Sequence, residues 1–196
     1  MIPIARRGLA AIAAGLAVPS LAAPSLVRAQ SAAPDPQHVL QLDVRDGRVV
    51  IQMLPELAPR HVERITLLTR RGFYNNTPFH RVIPGFMAQG GDPTGTGTGG
   101  ARNIGLPDLP AEFTPASRAR FIRGVCGMAR TSDPNTANSQ FFIMFGPSPG
   151  LDGQYTIWGR VLSGMEVVDR IKPGEGQSGM VRDPDRIRRM SIAADG

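Results

Sequence analysis

Between Phe79 and Asp92 the chain reads FHRVIPGFMAQGGD, with one histidine and one arginine among apolar side chains around a Pro84-Gly85 turn. A guanidinium stays protonated and offers five N–H donors in a rigid fork. Burying it unpartnered is costly, so Arg81 is expected at the rim of an apolar groove, a fixed donor for a peptide carbonyl or amide nitrogen. Gln89 adds an amide nearby. Phe86, Met87, Phe142 and Leu151 lie on segments that a barrel could gather on one face, although each taken singly also reads as core packing. Such a set suits rotation about a peptide bond, whose barrier of about 18–20 kcal/mol comes from amide resonance. For X-Pro the two isomers are nearly balanced, yet their exchange is slow. In the twisted transition state the nitrogen pyramidalises and gains a lone pair. A donor aimed there stabilises that state more than the planar ground state, while an apolar pocket holds the proline ring and removes water. No nucleophile, cofactor or proton transfer is required.

Other chemistries find little support. The run Gly95-Thr96-Gly97-Thr98-Gly99-Gly100 has no following Lys and leads through Ala101-Arg102-Asn103 toward Pro107, so it reads as a tight backbone turn rather than a nucleotide site. The three histidines, at 38, 61 and 80, show no ligand spacing, and no metal site is expected. His61 falls on a predicted helix, where it reads as a surface or boundary residue. No Gly-x-Ser-x-Gly elbow is present, and Ser139 reads as a turn or loop-end residue. Cys126 is the only cysteine, which precludes an internal disulfide. Within Gly124–Ala129 it reads as a small buried strand residue with no local base to activate it.

The elements that must position Arg81 are short. Eighteen prolines and 23 glycines in 196 residues favour many turns over long helices. Alternating runs at His38–Val44 and Arg48–Met53 flank Arg45-Asp46-Gly47, a hairpin signal. Pro59 opens a helix of about 12 residues carrying Val62, Ile65 and Leu68 on one face and ending near Gly72. Further strands are predicted at Phe79–Ile83, Phe86–Gln89, Val125–Ala129, Gln140–Met144, Thr156–Val161 and Ile187–Ile192, with a short helix at Met165–Ile171. Eight short strands are enough to close a barrel.

Residues 1–29 carry Arg6-Arg7, an apolar run from Gly8 to about Val18, and Val27-Arg28-Ala29. This is the order of a secretory signal cleaved before Gln30, and the apolar part falls short of the ~20 residues that a bilayer requires. The Arg pair also fits twin-arginine export, weakly. Residues 30–37 read as a flexible linker and 38–194 as the folded domain. The leader holds three arginines and no acid, so its loss lowers the formal charge from +6 to +3. That is too small to argue for nucleic acid, and the arginines at 182, 186, 188 and 189 read as a solvated face beside Asp183 and Asp185. A periplasmic location follows, without stable membrane insertion.

The motifs FHRVIPGFMAQGGD, GTGTGG, GMAR, NSQFFI and LDGQYTIWG, in order between about His38 and Ile192, resemble the cyclophilin family of peptidyl-prolyl cis-trans isomerases, in the bacterial form with Met-Ala-Arg. The resemblance implies a mainly β fold, a closed eight-stranded antiparallel barrel capped by two α-helices, with the groove outside. It implies that Arg81 is catalytic, that Phe86, Met87, Gln89, Ala129, Gln140, Phe142 and Leu151 contact the substrate, and that His80 supports the strand of Arg81 through a structural hydrogen bond. The implied partners are proline-containing polypeptides of the cell envelope, with no cofactor. Two positions depart from the drug-sensitive members of the family. Gly150 stands where they carry tryptophan, and Tyr155, a substitute aromatic wall, where they carry histidine; weakened cyclosporin binding is expected. A non-catalytic peptide-binding chaperone on the same barrel, or a tethered assembly factor if the leader is kept, are the alternatives. A monomer is the default, because a closed barrel has no free edge.

Overall fold

The computed structural model describes residues 33–196; the leader and the first three residues of the linker lie outside the described residues. The described end of the linker runs into a 3-10 turn, Pro36–His38, in which Gln37 accepts a bond from Arg70 Nη2 at 2.8 Å. Every strand and helix expected from the sequence forms, with strand ends shifted by a residue or two and the second helix ending three residues early, at Val168. The strands are β1 (Val39–Val44), β2 (Gly47–Met53), β3 (Arg81–Ile83), β4 (Met87–Gly90), β5 (Val125–Met128), β6 (Phe141–Met144), β7 (Ile157–Ser163) and β8 (Arg189–Ile192). The helices are α1 (Pro59–Arg70) and α2 (Met165–Val168).

All eight strands join one antiparallel sheet in the order β3-β4-β6-β5-β7-β2-β1-β8. The terminal strands β3 and β8 do not pair with each other, so the expected closed barrel is instead a curled, open half-barrel. The connection from Gly174 to Ile187 fills the seam. Val82 N donates to Gly179 O at 2.7 Å, Val181 N to His80 O at 2.9 Å, and Phe79 N to Asp185 O at 2.9 Å. Isolated bridges at Pro78↔Arg186 and Arg81↔Met180 complete it. The edge of β3 is therefore occupied by an irregular segment rather than by a neighbouring strand, and barrel closure no longer supplies the argument for a monomer.

The period-two pattern of the strands separates two apolar clusters. Ala88, Phe141, Ile143 and Trp158 face the main core inside the curl, where α1 contributes Val62, Ile65 and Leu68. Their neighbours Met87, Phe142, Met144 and Ile157 face outward and form a second cluster with Phe121. The partly buried Phe86, Ala129, Leu151 and Tyr155 pack around them.

His61 corrects the sequence reading: it is fully buried, not a boundary residue. No side chain at Ala58 caps α1. The carboxylate of Glu112 reaches in from a distant loop and accepts from the Arg60 and His61 backbone N–H groups at 3.2 and 3.1 Å. The His61 Nδ1–H donates to the same carboxylate at 2.6 Å. A negative group at the helix N-terminus satisfies two otherwise orphaned donors, and the imidazole gains a partner that allows its burial.

Candidate active site

Pro84 and Gly85, the latter at φ +74°, close a tight turn in which Phe86 N donates to Ile83 O at 3.0 Å. This sets β3 against β4 with Arg81 opposite Gln89 and Ile83 opposite Met87. Next along the sheet, β6 places Phe142 opposite Gln89 and Met144 opposite Met87. Phe142 meets Phe121 at 5.7 Å and Tyr155 at 6.0 Å between ring centroids. The rings cross β5 at Gly127, where an added Cβ would overlap both Phe142 and Phe121.

The outcome is a cavity of about 210 Å³ walled by Phe86, Met87, Ala129, Phe142, Leu151 and Tyr155, with Arg81, Gln89 and Arg130 on its rim. Arg81 is half-buried. Its Nε donates to Ser178 O at 3.0 Å and its Nη1 to Gln89 Oε1 at 3.3 Å. Nη2 has no acceptor among the described residues, so two of the three nitrogens are held and the third is free. Gln140 lies in an adjoining polar cavity of about 270 Å³ that shares Gln89, Ala129 and Arg130 with the first.

Of the residues named from the sequence, Arg81, Phe86, Met87, Gln89, Ala129, Phe142, Leu151 and Tyr155 meet in one cavity, and Gln140 touches Gln89 from the next. His80 is the exception. It is buried, and neither ring nitrogen makes a well-formed hydrogen bond among the described residues; its backbone carbonyl, bonded to Val181 N, ties the strand. The ring packs beneath the loop at Gly97, and burial holds its pKa below the ordinary imidazole value against the raising influence of Asp92. The side-chain bond expected of it is not formed with good geometry, although the Pro78 carbonyl and the Gln140 side chain lie beside the ring.

Sequence reasoning passed over Arg130, although the Met-Ala-Arg motif contains it. Its guanidinium stacks 4.2 Å from the Tyr155 ring centroid and donates to the carbonyls of Gln154 (2.9 Å), Thr131 (2.8 Å) and Ser132 (3.3 Å). It thereby fixes one wall of the pocket. Ser178, which supplies the acceptor for Arg81, carried no signal at all, because a backbone carbonyl acts without regard to its side chain.

A curled, open antiparallel half-barrel with an outward apolar pocket and one clamped arginine has the parts to seat an apolar ring beside a fixed cationic donor. A family profile described as "Cyclophilin type peptidyl-prolyl cis-trans isomerase/CLD" matches residues 39–192. A probable peptidyl-prolyl cis-trans isomerase of Brucella suis is 48% identical over 197 residues, covering 94% of this chain and 97% of its own. A peptidyl-prolyl cis-trans isomerase-like 1 protein of Gibberella zeae is 44% identical over 66% of this chain and 78% of its own. Among solved structures, a cyclophilin from Hirschia baltica superposes with TM-score 0.69 at 29% identity, over 83% of this chain and 76% of that one. A Cryptosporidium parvum cyclophilin type isomerase, crystallised in the presence of the dipeptide Ala-Pro, gives TM-score 0.69 at 31% identity, over 79% and 98%. The chain belongs to the cyclophilin-type peptidyl-prolyl cis-trans isomerase family.

Proposed function

We propose that Arg81 is the catalytic donor of this isomerase and that Phe86, Met87, Phe142, Leu151 and Tyr155 hold the proline ring. The observation that carries this reading is the half-tethered guanidinium at the mouth of an apolar cavity. The similar Cryptosporidium protein was crystallised in the presence of the dipeptide Ala-Pro, which supports a proline-containing ligand for this family member. In the planar ground state the imide nitrogen is a poor acceptor, because its lone pair is delocalised. As the bond twists the lone pair localises, and a free N–H of Arg81 bonds to it. Ala129, Gln89 and Gln140 keep the flanking peptide in register while the ring stays seated. The substrates are proline-containing polypeptides of the cell envelope, met as a monomer after removal of residues 1–29 on export.

The test is X-Pro exchange catalysed by the purified protein. Arg81→Ala should lower kcat/KM by about 10²–10³, the loss that follows removal of one preorganised transition-state donor. Turnover within two-fold of the parent by a folded variant sinks the assignment. The mass of the N-terminus recovered from native cells tests export separately: a start at Gln30 supports it and a start at Met1 refutes it.

A further inference from the structure

Asp92 ends the Gln-Gly-Gly-Asp motif, touches neither cavity and is fully buried. No cation pairs with it among the described residues. Its carboxylate instead gathers four donors of a single loop. Oδ1 accepts from Thr94 N at 2.8 Å and Thr94 Oγ1 at 2.7 Å, and Oδ2 accepts from Gly97 N at 2.7 Å and Gly99 N at 3.1 Å. Burial alone would push the carboxyl up; the bonds from Thr94, Gly99 and Gly97 more than reverse this and hold it below the usual carboxylate value. Any Cβ at position 99 would overlap Asp92 Oδ1, so the glycine lets the loop wrap the carboxylate.

With their N–H groups held by Asp92, Gly97 and Gly99 both present carbonyls to Gln140 Nε2, each at 2.9 Å. That fixes which way the Gln140 amide faces, because its oxygen cannot stand against two carbonyls. Oε1 then faces Gln89 and accepts from Gln89 Nε2 at 2.9 Å. The Gln89 amide is oriented in turn, and its oxygen is left for Arg81 Nη1. Turned the other way, Gln89 would meet the guanidinium with an N–H₂ and the clamp would be lost.

We propose that Asp92 is a positioning residue for the isomerisation: through the Gly97 and Gly99 carbonyls it sets the amides of Gln140 and Gln89 so that an oxygen braces Arg81. The Gly-Thr run is the part of the relay that turns one carboxylate into two aligned carbonyls. The inference rests on Arg81 being the catalytic donor.

A double-mutant cycle tests it with the full chain. Asp92→Asn, nearly isosteric, should lower kcat by about ten-fold, a difference of ~1.4 kcal/mol, with KM little changed. In a Gln140→Ala background the same substitution should change kcat by less than about two-fold. An equal loss in both backgrounds overturns the relay, as does parental kcat in folded Asp92→Asn. Should the variant not fold, the parent protein answers by NMR: the Gln140 and Gln89 side-chain amides should be protected from exchange and show couplings across their hydrogen bonds to the acceptors named. Amides exchanging as freely as those of surface glutamines refute the proposal. These amide readouts stand even if Arg81→Ala retains turnover, so failure of the catalytic assignment is distinguishable from failure of the relay.

Discussion

Arg81→Lys separates charge from geometry at the proposed catalytic position. The guanidinium uses its fork twice, bonding Ser178 O through Nε at 3.0 Å and Gln89 Oε1 through Nη1 at 3.3 Å while Nη2 stays free for the substrate. A lysine ammonium is one point at the end of a flexible stem. Its three donors share one nitrogen, so it cannot occupy the separate positions of Nε, Nη1 and Nη2 at once. Hydrogen bonds to a charged group contribute roughly 1.5–3 kcal/mol. Losing one such bond at the transition state is worth about 10- to 100-fold, since each ~1.4 kcal/mol is a factor of ten. Arg81→Lys should therefore fall between the parent and Arg81→Ala, chiefly in kcat, because the planar substrate gains little from this donor. The side chain is half-buried at a rim and lysine can keep one of its bonds, so unfolding free energy should fall by about 0.5–1.5 kcal/mol, the net contribution of one hydrogen bond. Line-shape or exchange NMR on an Ala-X-Pro peptide measures the catalysed rate directly, with chemical denaturation as the control. Turnover above half the parental value in Arg81→Lys would show that a positive charge suffices and that the fork is irrelevant.

Gly179 sits at φ +69° with its added Cβ overlapping Ile83, beside the carbonyl that braces Arg81. Gly179→Ala should destabilise the domain by about 2–4 kcal/mol, combining left-handed strain with overpacking, and should lower kcat; unchanged kcat and stability would refute the seam as a brace. Burial depresses the pKa of both His61, against the opposing pull of Glu112, and His80, so the native state binds fewer protons than the unfolded chain near pH 6.5. Stability is then full above about pH 6.5 and declines as pH falls toward 5, and unfolding free energies that are flat or rising over that window would contradict it. Position 150 is open, with nothing within 4 Å of an added Cβ. Gly150→Trp should tighten cyclosporin binding by at least about ten-fold, or ~1.4 kcal/mol, over a weakly binding parent, and isothermal titration showing low-nanomolar affinity in the parent would overturn the premise.

The elements were legible because their signals are local. Alternation in β1 and β2, the Pro84-Gly85 turn and the three-residue spacing of Val62, Ile65 and Leu68 all act over a few residues. The place of Arg81 was legible for a related reason: an arginine inside FHRVIPGFM is costly to bury, and it does stand at the rim of the cavity. What the chain order could not show was who answers whom. Glu112 meets a helix end 51 residues earlier in the chain and buries His61. Ser178 offers its carbonyl to an arginine 97 residues away. The same holds for Arg130 over Tyr155 and for the seam that leaves the sheet open between β3 and β8. A buried polar group declares its partner only when the fold brings the two together, because desolvation makes that partner obligatory while leaving its position in the chain unspecified. Residue types set the possible chemistry of Arg81, and its folded neighbours decide that Nε and Nη1 are held while Nη2 is left free.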